Sequence, residues 1–480
     1  MKSPMFNRRP SFRKHFKFSF CTNFPSGETP TGCGYYRQVS PPACKDLNFF
    51  TKGKYAPSFV LLLLSVFFSL TEVMAQREPD KIFMDNIKTV QLTMYEDQLA
   101  YPVIRLNGND QLQLDFDDMD ADVKNYYYNF ELRNADWSAV QMSYFDYAKG
   151  YPNQRITSYR SSSQTLTNYT HYQLNFPDRN IVPTKAGNYV LKVFLNGDTS
   201  QLAFTKRFLV ISNMMFVAAQ VQQPFGQQYF RSHQKINLSV NAGTVNVSYP
   251  QQQVKVMILQ NNRWDNAVQN LKPSIIRGNV YEYNAEADCL FPAMREWRWL
   301  DLRSFRLLSD RVRRQENTNR TYDLYTVPDV SRNIQRYVYY RDYNGIYASL
   351  TNESVNPYWQ GDYAAVHFTY APPDNIPYRQ DLYLVGQITN YGKDPEAKMS
   401  WNESQGVYQT TLWLKQGYYD YIYALEEKRN GQTVFTTDQT EGNIWESENE
   451  YMILVYYREL GGRYDQLVNI TTLNSMTNRP

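Results

Sequence analysis

Cysteine, histidine and basic runs are all scarce in this chain of 480 residues, which holds four Cys and four His. Cys21, Cys33 and Cys44 precede an apolar run, so only Cys289 follows it, and the mature chain has no internal disulfide to form. Cys289, in Glu-Ala-Asp-Cys-Leu-Phe, reads as a small apolar strand residue. The later histidines, His171, His233 and His367, show neither H-x-x-x-H spacing nor a neighbouring Cys pair, so nothing points to a zinc site. Glycine loops that cradle phosphate and the G-x-S-x-G turn are also missing. The reading is therefore of a non-catalytic protein with no cofactor. The 50 Lys+Arg nearly balance the 47 Asp+Glu, and no basic tract in the globular part could follow a nucleic-acid backbone.

A long hydrophobic run is missing too. The stretch Ala56 to Leu70 falls short of the roughly 20 residues that span a bilayer, and Glu72 closes it. Lys52 and Lys54 stand before it and small Ala75 after it, the order of a secretory signal over residues 55–75, with cleavage near Gln76. No Cys stands at the end of the run, which argues against a lipoprotein. Residues 1–54 form an upstream extension, read as disordered or as a start assigned too far upstream.

What the chain does have is tyrosine, 41 of them within 16% aromatic content. Aromatic residues favour strands, and the length suits roughly three domains. Period-two patterns recur: Leu112, Leu114 and Phe116 share a face, as do Tyr126, Tyr128, Phe130 and Leu132, then Tyr189, Leu191 and Val193. Ile236/Leu238/Val240 and Val254/Val256/Ile258 continue the series. The fold class is all-β, in tandem immunoglobulin-like and early-set β-sandwich domains. Expected domains run over 81–212, over 213–371 with a charged insertion near 294–320 (a short helix or a solvated loop), and over 378–472. Pro372-Pro373 and Pro377 mark the last boundary. Asn430-Gly431 predicts a hairpin whose first strand covers Tyr418 to Leu425. There Tyr419, Tyr421, Tyr423 and Leu425 share one face, while Tyr418, Asp420, Ile422 and Ala424 share the other.

Asp118, Asp120 and Asp122 alternate as calcium ligands do, but Val123 stands where an EF-hand loop needs Gly, and Asn129 where it needs Glu. The preferred reading is a solvated turn with no metal, and calcium is the alternative.

The C-terminal block, with "LYLVGQITNYG" and "LKQGYYDYIYAL", resembles early-set modules related to glycogen-binding domains. Those modules place Trp after the Asn of the turn; here Tyr391 follows Asn390, and Trp401 and Trp413 are the other flat rings. As a whole, the stretches Tyr101 to Trp137, Ala186 to Phe194, Gln260 to Ala267, Leu414 to Leu425 and Thr440 to Val468 resemble the type IX secretion system plug protein family of Bacteroidetes. The resemblance implies a periplasmic protein at the inner face of the outer membrane that closes the wide translocon barrel, with that barrel and its associated subunits as partners. Membrane association would then run through protein alone. The chain departs from the family pattern at Phe291 to Phe305, where Arg295, Trp297 and Trp299 are the candidate partner contacts, with core packing of both Trp as the alternative. A periplasmic or surface carbohydrate-binding protein is the second functional reading, with Tyr391 and Trp401 as its candidate platform.

Overall fold

The computed structural model describes residues 79–479, apart from 319–320 and 430–431. The upstream extension, the signal segment with its cleavage position and the Asn430-Gly431 turn lie outside the described residues. The rest is built from antiparallel sheets with a few parallel pairs.

Alternation dictates the first sandwich. One sheet places Leu202–Ile211, Gly187–Leu195 and Tyr126–Arg133 side by side; the other holds Ile87–Met94, Leu112–Asp118 and Thr170–Phe176. Their inward sets, Leu112, Leu114 and Phe116 against Tyr126, Tyr128, Phe130, Tyr189, Leu191 and Val193, close one core. Each such large apolar side chain contributes about 1.5–3 kcal/mol on burial.

The second sandwich joins distant segments. Phe216–Gln222, His233–Asn241 and Val280–Tyr283 form one sheet, but Val254–Gln260 pairs with Glu450–Tyr457, which pairs with Gln466–Asn474. Ile236, Leu238 and Val240 pack in the same core as Val254, Val256 and Ile258 and as Tyr451, Ile453 and Val455. The third sandwich surrounds Gly417–Arg429, flanked by Arg298–Asp301, Tyr347–Ser349, Leu382–Val385 and Gln432–Thr436. Its second sheet holds Val312–Thr318, Thr321–Thr326, Tyr363–Ala371 and Val407–Lys415.

Strand pairing thus crosses the boundaries expected from the sequence. Tyr363–Ala371 pairs with Val407–Lys415 across Pro372-Pro373, so the prolines fix a turn inside one sandwich. The stretch near 294–320 is not a helix among its described residues: two strands run through it, and Trp297, Leu300, Leu302 and Phe305 are buried, while Arg306, Leu307 and Leu308 beyond them are exposed. Its arginines suggested exposure, yet several are paired inside the protein.

Within Gly417–Arg429, the part up to Leu425 has both faces covered, as its pattern predicts. Tyr419, Tyr421, Tyr423 and Leu425 enter the core of the third sandwich, while Ile422 and Ala424 pack with Met294, Trp297 and Val385. Cys289 is free and buried, at φ +55° immediately before the strand Leu290–Pro292. Burial pushes its thiol up to about 12, which leaves it unreactive.

Candidate functional site

The divergent segment turns inward. Arg295 and Trp297 are buried, and Trp299 is half-buried. Trp297 fills a gap that only glycine leaves open: a Cβ on Gly345, at φ +84°, would lie 2.6 Å from the indole Cη2. Arg295 donates through Nη2 to the Gln335 carbonyl at 2.6 Å, bracing the loop from Ser331 to Ile346. Trp299 packs edge-on against Tyr340 and lies under the Arg311 guanidinium, 4.5 Å from its carbon. The three residues therefore do not form one exposed face. Strand spacing begins only at Arg298, and Trp297 is withdrawn from the surface.

Beside them Arg298, also buried, donates to Glu441 at 2.9 Å, to Asp329 at 2.7 Å and to the Val330 carbonyl at 2.7 Å. Arg332 adds a second contact to Glu441 at 2.6 Å, and Tyr421 and Tyr423 donate to Asp329. Burial alone would raise the Glu441 carboxyl, but Arg298 and Arg332 hold it down to about 2. This is how tyrosines of a core strand satisfy their hydroxyls. Nearby, Asp342 and Asp420 have no such cation among the described residues. Burial, reinforced by their mutual charge at Asp420, pushes Asp342 up to about 7 and Asp420 up to about 8. Asp342 accepts from the Trp297 and Asn344 amides and Asp420 from the Tyr343 and Gly345 amides, so the pair pins the loop to the core.

A second ionic cluster ties the first sandwich to the third. Asp117 accepts from Lys415 at 2.5 Å, from Tyr363 at 2.6 Å and from His171 at 2.8 Å, and the other imidazole nitrogen faces Asp115 at 3.2 Å. The four charged side chains are at least nine-tenths buried. Burial opposes the Asp117 charge, but Lys415 and His171 outweigh it and hold the carboxyl below its ordinary range. The same two carboxylates hold His171 above its ordinary value against the effect of burial. Asp-His-Asp is an acid–base array by residue type; here Lys415 and Tyr363 are bonded to its Asp117, and the Tyr358 ring lies against the imidazole with centroids 5.4 Å apart. The arrangement fixes geometry.

Asp118, Asp120 and Asp122 do converge, but a cation already stands among them: Lys124 Nζ lies 2.8, 2.5 and 3.1 Å from their oxygens. The ammonium therefore pairs with all three carboxylates. Of the glycan candidates, Tyr391 is half-buried against Trp297, and Trp401 packs edge-on against Tyr408. They are not brought together on one platform.

The family model for the type 9 secretion system plug protein, first domain, matches residues 87–212. A crystal structure of a hypothetical protein from Parabacteroides merdae is similar at 31% identity, with a TM-score of 0.78 over 82% of this chain and 98% of that one. The chain belongs to the plug protein family. Among curated proteins, none matches this sequence. No helix among the described residues of the plug-family chain is long and apolar enough to cross a membrane.

Sequence reasoning missed both ionic clusters of the plug-family chain. Asp115 and Asp117 alternate with the core residues Leu114 and Phe116, which is the signature of a solvated strand face, and only the neighbouring sandwich buries them. Arg298 gave one usable signal: an arginine at an inward strand position two residues before Leu300 needs an acid inside.

Proposed function

We propose that this chain is a non-catalytic periplasmic subunit of the type IX secretion system, which docks on the inner mouth of the outer-membrane translocon barrel and closes it while no cargo passes. Family membership is the observation that carries the reading. Rigidity supports it, because a stopper must keep its shape, and buried, hydrogen-bonded charge clusters resist rearrangement. The connection between the first and second sandwiches is also packed: Trp137 and Trp264 meet edge-on at 4.9 Å with the Arg207 guanidinium 5.0 Å from each ring.

In this proposal Arg295 and Trp297 act as braces, and the contact passes to Trp299 and to the loop they hold. Ile334, Val338 and Tyr339 of that loop are 92%, 66% and 51% exposed. Deleting the gene should make the outer membrane permeable to a large hydrophilic antibiotic without stopping secretion. Unchanged permeability would sink the gate reading. Within the chain, Ile334→Ser with Val338→Ser should abolish co-purification with the barrel at an unchanged melting temperature. Undiminished co-purification would remove this loop from the interface.

A further inference from the structure

The strand Val407–Lys415 carries an edge that its own sandwich does not use. Gln416 donates its amide to the Asp362 carbonyl at 2.8 Å, and this pair continues the register Tyr363↔Lys415. In an antiparallel ladder, bonded and non-bonded pairs alternate, so residues 414, 412, 410 and 408 bond to Tyr363–Ala371. Residues 415, 413, 411 and 409 then present N–H and C=O to the other side. The far strand agrees, since the Thr369 amide and the His367 carbonyl both turn away toward Thr326. On the outer side of Val407–Lys415, Ser400–Asn402 covers only Val407 to Gln409, and the Lys415 carbonyl is taken by the Tyr419 hydroxyl. The backbone groups of Thr411 and Trp413 have no hydrogen-bond partner among the described residues.

This edge borders a cavity of about 330 Å³ between the first and third sandwiches. Lys88 and Lys206 line it from the first sandwich, and among the described residues neither makes an ion pair. Lys88 is carried into the wall by a bulge between Lys88 and Gln91, with Thr89 at φ +51°. Of the acids at the cavity, Asp80 is engaged by Arg207 at 3.1 Å, and Asp394 and Glu396 line the side formed by the loop after Gly386.

We infer that this edge accepts an extended acidic peptide as an added strand. Main-chain bonds to Thr411 and Trp413 hold it, and its carboxylates face Lys88 and Lys206. Strand addition uses the ladder chemistry an open edge already offers, and side-chain pockets then select the sequence. The open edge along the cavity runs from Thr411 to Trp413, beyond the end of the pairing at Gln409. The inference stands apart from the plug reading, because its test needs only the purified chain.

The probe is a capped eight-residue peptide of alternating glutamate and valine, with its lysine–valine counterpart and an oligogalacturonate as comparators. The acidic peptide should slow amide hydrogen exchange at Thr411 and Trp413 specifically. Thr411→Pro removes one outward N–H while sparing the ladder to Tyr363–Ala371, and should weaken binding roughly tenfold. Lys88→Gln with Lys206→Gln should weaken it by at least as much while leaving the melting temperature unchanged, and serves as the deciding variant if Thr411→Pro fails to fold. The inference is overturned by equal binding of the basic peptide, by binding of the oligogalacturonate in place of the peptide, by no protection at the two amides, or by wild-type affinity in the lysine variant.

Discussion

Replacing Lys415 by Met tests whether the buried cluster holds the first sandwich to the third. In the native chain two carboxylates, Asp115 and Asp117, face two cations, His171 and Lys415. The substitution keeps the stem volume and removes the ammonium, leaving two buried carboxylates against one imidazolium. Lys415 and Asp117 side chains are each 1% exposed, so water cannot replace the lost partner. Breaking such a pair costs about 3–5 kcal/mol. Asp117→Asn in the same background removes the orphaned charge, so the double variant should lose clearly less than the sum of the single losses, with a coupling of about 1 kcal/mol or more. Urea unfolding followed by tryptophan fluorescence measures both. Because the cluster bridges two sandwiches, the first transition of Lys415→Met should move to lower urea and separate from the rest. The variant should also depend more steeply on pH. His171 titrates above its ordinary value in the folded chain, so its contribution is present below about pH 6.5 and is lost as pH rises through the folded-state value. A loss under about 0.5 kcal/mol for Lys415→Met, or strictly additive single losses, would refute the argument.

Asp342 and Asp420 titrate at about 7 and about 8 in the folded chain, above the 3.8 of a free aspartate. Their contribution is therefore complete below about pH 4 and declines as pH rises to about 8, by up to about 1.4 kcal/mol per pH unit for each group. Asp420→Asn keeps an acceptor for the Tyr343 and Gly345 amides, and should flatten this decline and raise the melting temperature at pH 8; an unchanged slope contradicts the assignment. Gly345→Ala combines a Cβ 2.6 Å from the Trp297 ring with a left-handed backbone, and should cost about 2–4 kcal/mol with a shift in tryptophan emission. A wild-type melt would show that Trp297 has room to move.

Strand identity was readable from the chain because side-chain alternation is a local property. Leu112/Leu114/Phe116 and Tyr419/Tyr421/Tyr423 sit on the faces their spacing assigns, and each reaches a core. The all-β class and the family followed from the same local text. Which strands share a sandwich did not, because pairing is decided by long-range closure. Val254–Gln260 takes a partner nearly two hundred residues away, and loop entropy grows too slowly with length to forbid it. Burial of polar residues was illegible for the same reason. Asp117 and Lys415 look solvated one by one, and only the packing of separate segments removes their water and supplies the opposite charge. Lys124 among its three aspartates is the local counterpart: the sequence determined that four charges lie together, and the tertiary turn decided that the ammonium pairs with all three carboxylates.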